Sequence, residues 1–215
     1  MNSSYVVGID VGGQTSKLGV VDARGAVLAQ TVIRTDTYDT VEPYIAELAA
    51  AVKKVIAESG TEGKIRGVGV GAPNGNYYTG TIEAAPNLRW GHNKVEFAKL
   101  LSEALGGMPV ALTNDANAAA VGEMTYGAAR GMKNFIMITL GTGVGSGIVI
   151  NGEVVYGHDG FAGELGHTAA VRNNGRACGC GRSGCLEAYC RPQTRAHCAV
   201  RRVPTTRRGS TTEGG

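Results

Sequence analysis

Two stretches of this chain follow one plan at a fixed offset. GIDVGGQTSKLGVVDARGAVL, from Gly8, and MITLGTGVGSGIVINGEVV, from Met137, each pass from an apolar strand through a glycine-rich turn with a threonine into a second apolar strand, a polar turn and a third strand. Gly13 and Gly141, and Gly19 and Gly147, are both 128 positions apart. Self-similarity of this kind predicts two related halves facing each other.

The residues between the two stretches predict strands and helices in alternation. YVVGID, KLGVVD and VLAQTVI are short, β-branched and bounded by turn residues, so the first forty residues read as a β-meander. From Val41 the apolar period changes. Val41, Ile45, Leu48, Ala49, Val52, Val55 and Ile56 fall on one helical face, with Asp39 or Thr40 to cap the helix and Gly60 to end it. IRGVGVGAP reads as a strand, followed by a loop of Asn, Gly and Tyr and then a helix carrying Phe97, Leu100, Leu101, Ala104 and Leu105. MPVALTND is a strand delivering Asn114 and Asp115 to its C-terminal end, and ANAAAVGEMTYGAA is the helix after it. The alternation predicts an α/β fold.

Composition limits the function classes. With 43% apolar residues in 215, the chain can build a proper core. Glycine, 34 residues, is about twice its ordinary share, which calls for tight turns and close backbone approaches. The net charge of +3 belongs to the end of the chain: residues 191–215 hold six of the 21 basic residues and one of the 18 acidic ones, leaving residues 1–190 at −2. That distribution argues against a nucleic-acid surface on the folded part. No run of apolar residues reaches the 18 or so of a membrane span, and the start MNSSYVVGID has no basic leader. The expectation is a cytoplasmic protein with no membrane partner, where clustered cysteines are metal ligands or redox groups more often than disulfides.

Three motifs carry chemistry. Glycine-rich turns between strands offer successive backbone N–H groups with no Cβ in the way, so two of them could hold two ends of one triphosphate. In the first turn, Gly12 and Gly13 are flanked by Asp10, a carboxylate for Mg²⁺, and by Thr15 and Lys17 as donors; Thr139, Gly141, Thr142, Gly143 and Gly145 form the second. Either alone also reads as an ordinary hairpin; the pairing favours a nucleotide. Asp115 reads either as a helix cap or as the general base that takes the proton of an attacking hydroxyl, with Asn114 beside it as a polyol contact. Finally, His167, Cys178, Cys180 and Cys185 make the donor set of a closed tetrahedral Zn²⁺ site, with Gly179, Gly181 and Gly184 allowing the backbone to fold tightly; buried free thiols or a redox pair are the other readings. Glu164, three residues before His167, and Glu187, two after Cys185, would be fixed by such a metal, which then acts as a structural clamp on a substrate site rather than as a Lewis acid.

DVGGQTSK, APNG, APNL, TNDANAAAVGE, TLGTGVGSG, ELGH and CGCGRSGCLE, in this order over residues 5 to about 189, resemble the ROK family of bacterial sugar kinases and repressors within the hexokinase and actin-like ATPase superfamily. The resemblance implies two actin-like, ribonuclease H-like α/β lobes with a cleft between them, divided as residues 1–115 and a partial second lobe, 116–189. It implies ATP·Mg²⁺ as donor and a hexose as acceptor, most simply glucose going to glucose 6-phosphate. Asp115 is then the catalytic base, and Gly75, Asn87, Asn114, Asp115, Glu164, His167 and Glu187 contact the sugar, His167 serving metal and sugar both. Intact members are expected to be homodimers.

The family also contains sugar-responsive repressors, which carry a helix-turn-helix domain first; here the first strand begins by Tyr5. After CLEAY the resemblance implies further helices and the rest of the second lobe. Instead CRPQTRAHCAVRRVPTTRRGSTTEGG follows, arginine-rich and poor in large apolar residues, which predicts a disordered, aberrant tail over 190–215 and raises the reading of an inactive kinase fragment.

Overall fold

The computed structural model describes residues 4–190. The meander is present as β1 (Tyr5–Val11), β2 (Thr15–Asp22) and β3 (Val27–Arg34), paired antiparallel. After it come α1 (Val41–Glu58), β4 (Ile65–Ala72), a two-residue hairpin β5 (Gly75–Asn76) and β6 (Thr81–Ile82), α2 (Phe97–Ala104) and β7 (Val110–Asn114). β4 and β7 join parallel to β1, giving a five-stranded mixed sheet in the order β3-β2-β1-β4-β7.

Alternation along the strands decides which face is covered. Val7, Ile9 and Val11 of β1, Leu18 and Val20 of β2, and Val68 and Val70 of β4 point to one side, where they form the core with Tyr44, Leu48, Val52 and Val55 of α1 and Phe97 and Leu101 of α2. Tyr44, fully buried, stacks on Trp90 at 4.9 Å, and its hydroxyl bonds with Ser16 Oγ at 2.7 Å. Burial pushes its phenol up to about 12. The predicted cap of α1 is partly realised: Thr40 is the N-cap residue but makes no side-chain cap bond. Gly60 takes a left-handed φ of 63° after the last turn.

The other face of the sheet carries small residues, Gly8, Gly19, Gly69, Gly71 and Ala111, and opens as an apolar trough of about 960 Å³. At its edge Tyr77 stacks on Tyr156 with ring centroids 4.3 Å apart.

Helix α3 (Asp115–Tyr126) follows β7 directly and packs against both the first sheet and a second one, formed by β8 (Phe135–Leu140), β9 (Val144–Ile150) and β10 (Glu153–Val154) in the order β10-β9-β8. A single 3₁₀ turn at Leu165–His167 and a short α4 (Glu187–Cys190) complete the described elements. The mixed α/β architecture around a central mixed sheet matches the expected class. The tail expected over 190–215 lies, from residue 191, outside the described residues, and none of the described helices is long and apolar enough to cross a membrane.

Two points differ from the sequence expectation. The loop of Asn, Gly and Tyr contains the β5–β6 hairpin, whose two-residue strands are too short to leave an alternation in sequence. The two glycine turns are also unequal in length: Val11 pairs with Ser16 across the first and Leu140 with Val144 across the second.

Because Leu48 is fully buried against the sheet, Leu48→Ala should destabilise the chain by about 2–5 kcal/mol in urea unfolding. Leu28→Ala on β3, where the side chain is 46% exposed, should stay within about 0.5 kcal/mol.

Candidate functional site

Both glycine turns, the β7–α3 junction and the Glu164–His167 segment line one cleft of about 360 Å³. The junction supplies its centre. Asn114, the last residue of β7, is the N-cap of α3, its Oδ1 accepting the Ala116 N–H at 2.9 Å. Capping therefore falls to Asn114, and Asp115 becomes the first helical residue, although its own Oδ1 also lies 2.8 Å from the same N–H. Crowding by protein on all but the open side of the cleft pushes the Asp115 carboxyl above the ordinary carboxylate range, the Ala116 N–H opposing and the charge of Asp10 adding to the rise.

The turns face this junction. The Gly12 N–H bonds to the Thr15 carbonyl, and the Gly141 N–H to the Gly143 carbonyl. Among the described residues, the amides of Gly13, Gln14, Thr142 and Gly143 are the turn donors left over for an anion. The Glu164–His167 segment is fixed from β9: buried Ser146 donates its hydroxyl to the Gly163 carbonyl and accepts the Leu165 N–H at 3.1 Å. Glu164 is pushed up, first by burial, with His167 opposing and the charges of Asp115 and Glu187 adding. Glu187, 9% exposed, accepts the Val144 N–H at 2.9 Å.

Of the residues singled out in the sequence, Asp10, Gly12, Gly13, Asn87, Asn114, Asp115, Thr139, Gly141, Thr142, Gly143, Gly145, Glu164, His167 and Glu187 line this cleft. Thr15, Lys17 and Gly75 do not. Thr15 closes the first turn through its carbonyl. Lys17 is the cross-strand partner of Asp10 but projects along the trough. At Gly75 the backbone lies so close to the Thr113 carbonyl that a side chain would overlap it. Sequence reading missed Asn74, which lines the cleft with φ 51° and donates its amide to the Glu83 and Ala84 carbonyls at 3.0 Å. Its signal was the Pro-Asn-Gly run itself, a turn sequence in which Asn tolerates the left-handed region.

The four metal-ligand candidates come together. The donor atoms of His167, Cys178, Cys180 and Cys185 all lie within 4.8 Å of one another, with His167 Nδ1 to Cys178 Sγ at 3.6 Å and Cys180 Sγ to Cys185 Sγ at 3.7 Å. A tetrahedral ion with metal–sulfur bonds of about 2.3 Å separates its ligand atoms by about 3.8 Å, so the set fits Zn²⁺. The Arg182 backbone N–H, and then its side chain, pull the Cys180 thiol down to about 6, whereas burial and the neighbouring sulfurs push Cys185 up to about 11. Gly184, at φ 83°, sits where the chain crosses the Val171 carbonyl too closely for any side chain.

The sequence profile described as the ROK family matches residues 6–197. The chain is 39% identical over 189 residues to a glucokinase of Halalkalibacterium halodurans, covering 87% of this chain and 56% of that protein. It is 30% identical over 186 residues to a xylose repressor of Caldicellulosiruptor bescii, covering 86% of this chain and 46% of the repressor. In three dimensions it resembles the crystal structure of a ROK family glucokinase from Streptomyces griseus in complex with glucose and AMPPNP, with TM-score 0.74 and 35% identity over 89% of this chain and 58% of that one. The chain thus spans little more than half the length of these glucokinases.

Two expected outcomes follow from the geometry. Purified protein never exposed to chelator should carry one equivalent of zinc by metal analysis, and Cys178→Ser should lower that stoichiometry. Asp115 should also cost stability at neutral pH. Its folded pKa is raised, so the folded state keeps the proton where the unfolded state has lost it, and stability falls as pH rises from about 4 through the folded value. Asp115→Asn should therefore raise the melting temperature at pH 7, and the gain should vanish below about pH 4, which thermal melts at both pH values would check.

Proposed function

The chain belongs to the ROK family, and from that premise and the cleft we propose that it contains the reacting centre of an ATP-dependent hexose kinase, taking glucose to glucose 6-phosphate. The observation that carries this reading is the placement of Asp115, a carboxylate of raised pKa at the start of α3, in one cleft with two glycine turns. A base with a pKa nearer the working pH is a better proton acceptor than an ordinary carboxylate. In this reading a sugar hydroxyl donates to Asp115, and Asp115 takes its proton as the oxygen attacks the terminal phosphorus of the nucleotide.

The surrounding groups divide the remaining work. Asn114 Oδ1 is occupied by its own helix, so its amide N–H₂ is the part that can donate to a sugar oxygen. Glu164 and Glu187 are acceptors for sugar hydroxyls, and His167 contributes whichever ring nitrogen faces the cleft. The Gly13, Thr142 and Gly143 amides receive phosphate oxygens. No lysine or arginine lines the cleft among the described residues, while Asp10, Asp115, Glu164 and Glu187 do. A polyphosphate entering that field needs a counter-cation, and Asp10 beside the first turn is the residue that would hold the magnesium which neutralises phosphate charge.

A sugar-responsive regulator is the second reading, favoured by the 30% identity to a xylose repressor. It predicts sugar binding without transfer, and an inactive kinase fragment predicts the same. Turnover separates them. ATP-dependent glucose phosphorylation should be measured in this chain and in a chimera whose residues from 190 onward are replaced by the corresponding part of the Halalkalibacterium halodurans relative. In whichever form turns over, Asp115→Asn should lower kcat by roughly 10²–10⁴-fold with glucose affinity held within a few-fold. Activity should also decline on acidification from a higher pH than an ordinary carboxylate would give. Near wild-type turnover of Asp115→Asn would place the base elsewhere, and glucose binding with no turnover in either form would favour the regulator.

A further inference from the structure

We infer that Asn76 is a positioning residue: it clasps the β5–β6 hairpin to the loop of residues 157–163 and so sets, from the side of the first sheet, where the Glu164 carboxylate stands in the cleft. This role rests on the hexose reading of Glu164 and extends it to what holds that group in place.

The hairpin is a stiff arm and the loop is not. Gly75 lies against the Thr113 carbonyl of β7 too closely for a side chain, and the Asn74 amide donates to the Glu83 and Ala84 carbonyls at 3.0 Å. The Ala98 N–H of α2 bonds to the Gly80 carbonyl at 2.9 Å, so the arm is fastened to β7 and to α2. The loop GHDGFAG, by contrast, has three glycines at left-handed φ, Gly157 at 74°, Gly160 at 86° and Gly163 at 96°. Such a segment has little stiffness of its own. Glu164 follows it directly.

Asn76 joins arm to loop. It is 4% exposed, its Nδ2 donates to the Asp159 carbonyl at 2.9 Å, and its Oδ1 accepts the Tyr78 N–H at 3.0 Å. One end of the amide therefore reaches the loop while the other serves its own hairpin. Gly160 packs on this amide so closely that a Cβ there would overlap it. With almost no solvent to turn to, the Asn76 N–H₂ loses its acceptor if the loop moves, and that loss opposes the movement. The remaining ties act at the two ends of the loop. Tyr78 donates its hydroxyl to the Gly157 carbonyl at 3.0 Å, and Ser146 holds the Gly163 carbonyl. Among the described residues, Asn76 is the side chain outside the loop that hydrogen-bonds its middle, residues 158–162. Tied at its ends alone, the loop would be free to turn about Gly157 and Gly163. Pro73 and Asn74, at the base of the arm, line the same cleft as Glu164, so the clasp fixes the spacing between them.

The test compares the 215-residue chain with Asn76→Asp and Asn76→Ala at neutral pH. Asp keeps an acceptor for the Tyr78 N–H but turns a second oxygen toward the Asp159 carbonyl, so it loses only the tie to the loop; Ala loses both bonds. Amide hydrogen exchange is read by mass spectrometry over 157–167, where the Ala162 N–H bonds to the Tyr156 carbonyl and the Leu165 N–H to Ser146, with 41–58 as a folding control. Both variants should exchange roughly five- to tenfold faster over 157–167, with 41–58 unchanged. Glucose affinity, by titration calorimetry, should fall by a similar factor, because the sugar must then order the loop as it binds. If Asn76→Asp matches the wild type and only Asn76→Ala is loosened, Asn76 serves its hairpin alone and the role is overturned. Fast exchange over 157–167 with unchanged glucose affinity would overturn it as well, since the loop would then not set Glu164. Should Asn76→Ala lose protection over 41–58, Asn76→Asp decides. No glucose binding by the wild-type chain would remove the hexose reading, and the exchange arm would still decide whether Asn76 holds the loop.

Discussion

The structure depends on how closely α3 can approach two sheets at once. A helix between sheets normally buries large side chains on both sides, and these would hold the sheets far apart. Here the helix is thin. Ala118 stands against Gly71 of β4 in the first sheet, while Ala116 and Ala120 stand against Gly145 and Gly147 of β9 in the second; a methyl added at any of these glycines would meet the alanine methyl at 3.1 Å or less. Small residue on small residue brings the backbones together, and dispersion contacts replace the large side chains. The alanine run in DANAAAVGE is thus a packing requirement as well as a helix-forming one. Its outcome is geometric: the N-terminus of α3, with Asn114 and Asp115, lies where the ends of both sheets present their turns.

That convergence sets the electrostatics. Four carboxylates, Asp10, Asp115, Glu164 and Glu187, share one small cleft. Asp10 raises the Asp115 carboxyl, and Asp115 and Glu187 raise Glu164, each after the larger effect of burial. The cleft is a poor host for a bare polyphosphate and a good one for hydroxyl groups plus a phosphate accompanied by its cation.

Features written in local period were legible in the sequence, and features written in register were not. The meander, α1 with its apolar stripe, the two glycine turns and the His/Cys₃ spacing all depend on residues close in the chain or on an obvious repeat. Lys17 illustrates the other case. Its place after the first glycine turn reads as that of a phosphate donor, yet Lys17, paired across from Asp10, lines the trough rather than the cleft. Glu187 illustrates it again. Its spacing from Cys185 suggested that a metal would fix it, but nothing in the sequence couples it to the Val144 amide, 43 residues earlier. The stack of Tyr77 on Tyr156 is likewise a product of packing between segments distant in sequence, whereas the β5–β6 hairpin is local and its strands are too short to leave an alternation. In the His/Cys₃ loop, Gly181 and Gly184 of the three glycines singled out from sequence take a left-handed φ and Gly179 does not, and the tight crossing sets Gly184 against Gly175, which the sequence did not single out.

The larger cavity is not the one proposed to carry the chemistry. The trough of about 960 Å³ exceeds the cleft of about 360 Å³, and Asp10 borders both. Yet the trough is mostly apolar, with glycines, Ile9, Leu112 and valines beside a few polar groups such as Lys17, Gln30 and Thr31. Its shape is what remains when one side of a sheet bears side chains too small to fill the space above it. The cleft is smaller because its walls are pulled inward by bonds: Asn114 to the Ala116 amide, Ser146 to the Gly163 segment, Glu187 to the Val144 amide. Recognition of a polar ligand needs donors and acceptors held at fixed positions, and holding them there consumes empty volume. A site for a phosphate and a polyol should therefore be sought where hydrogen bonds have tightened the backbone, and in this chain that condition is met at the end of β7.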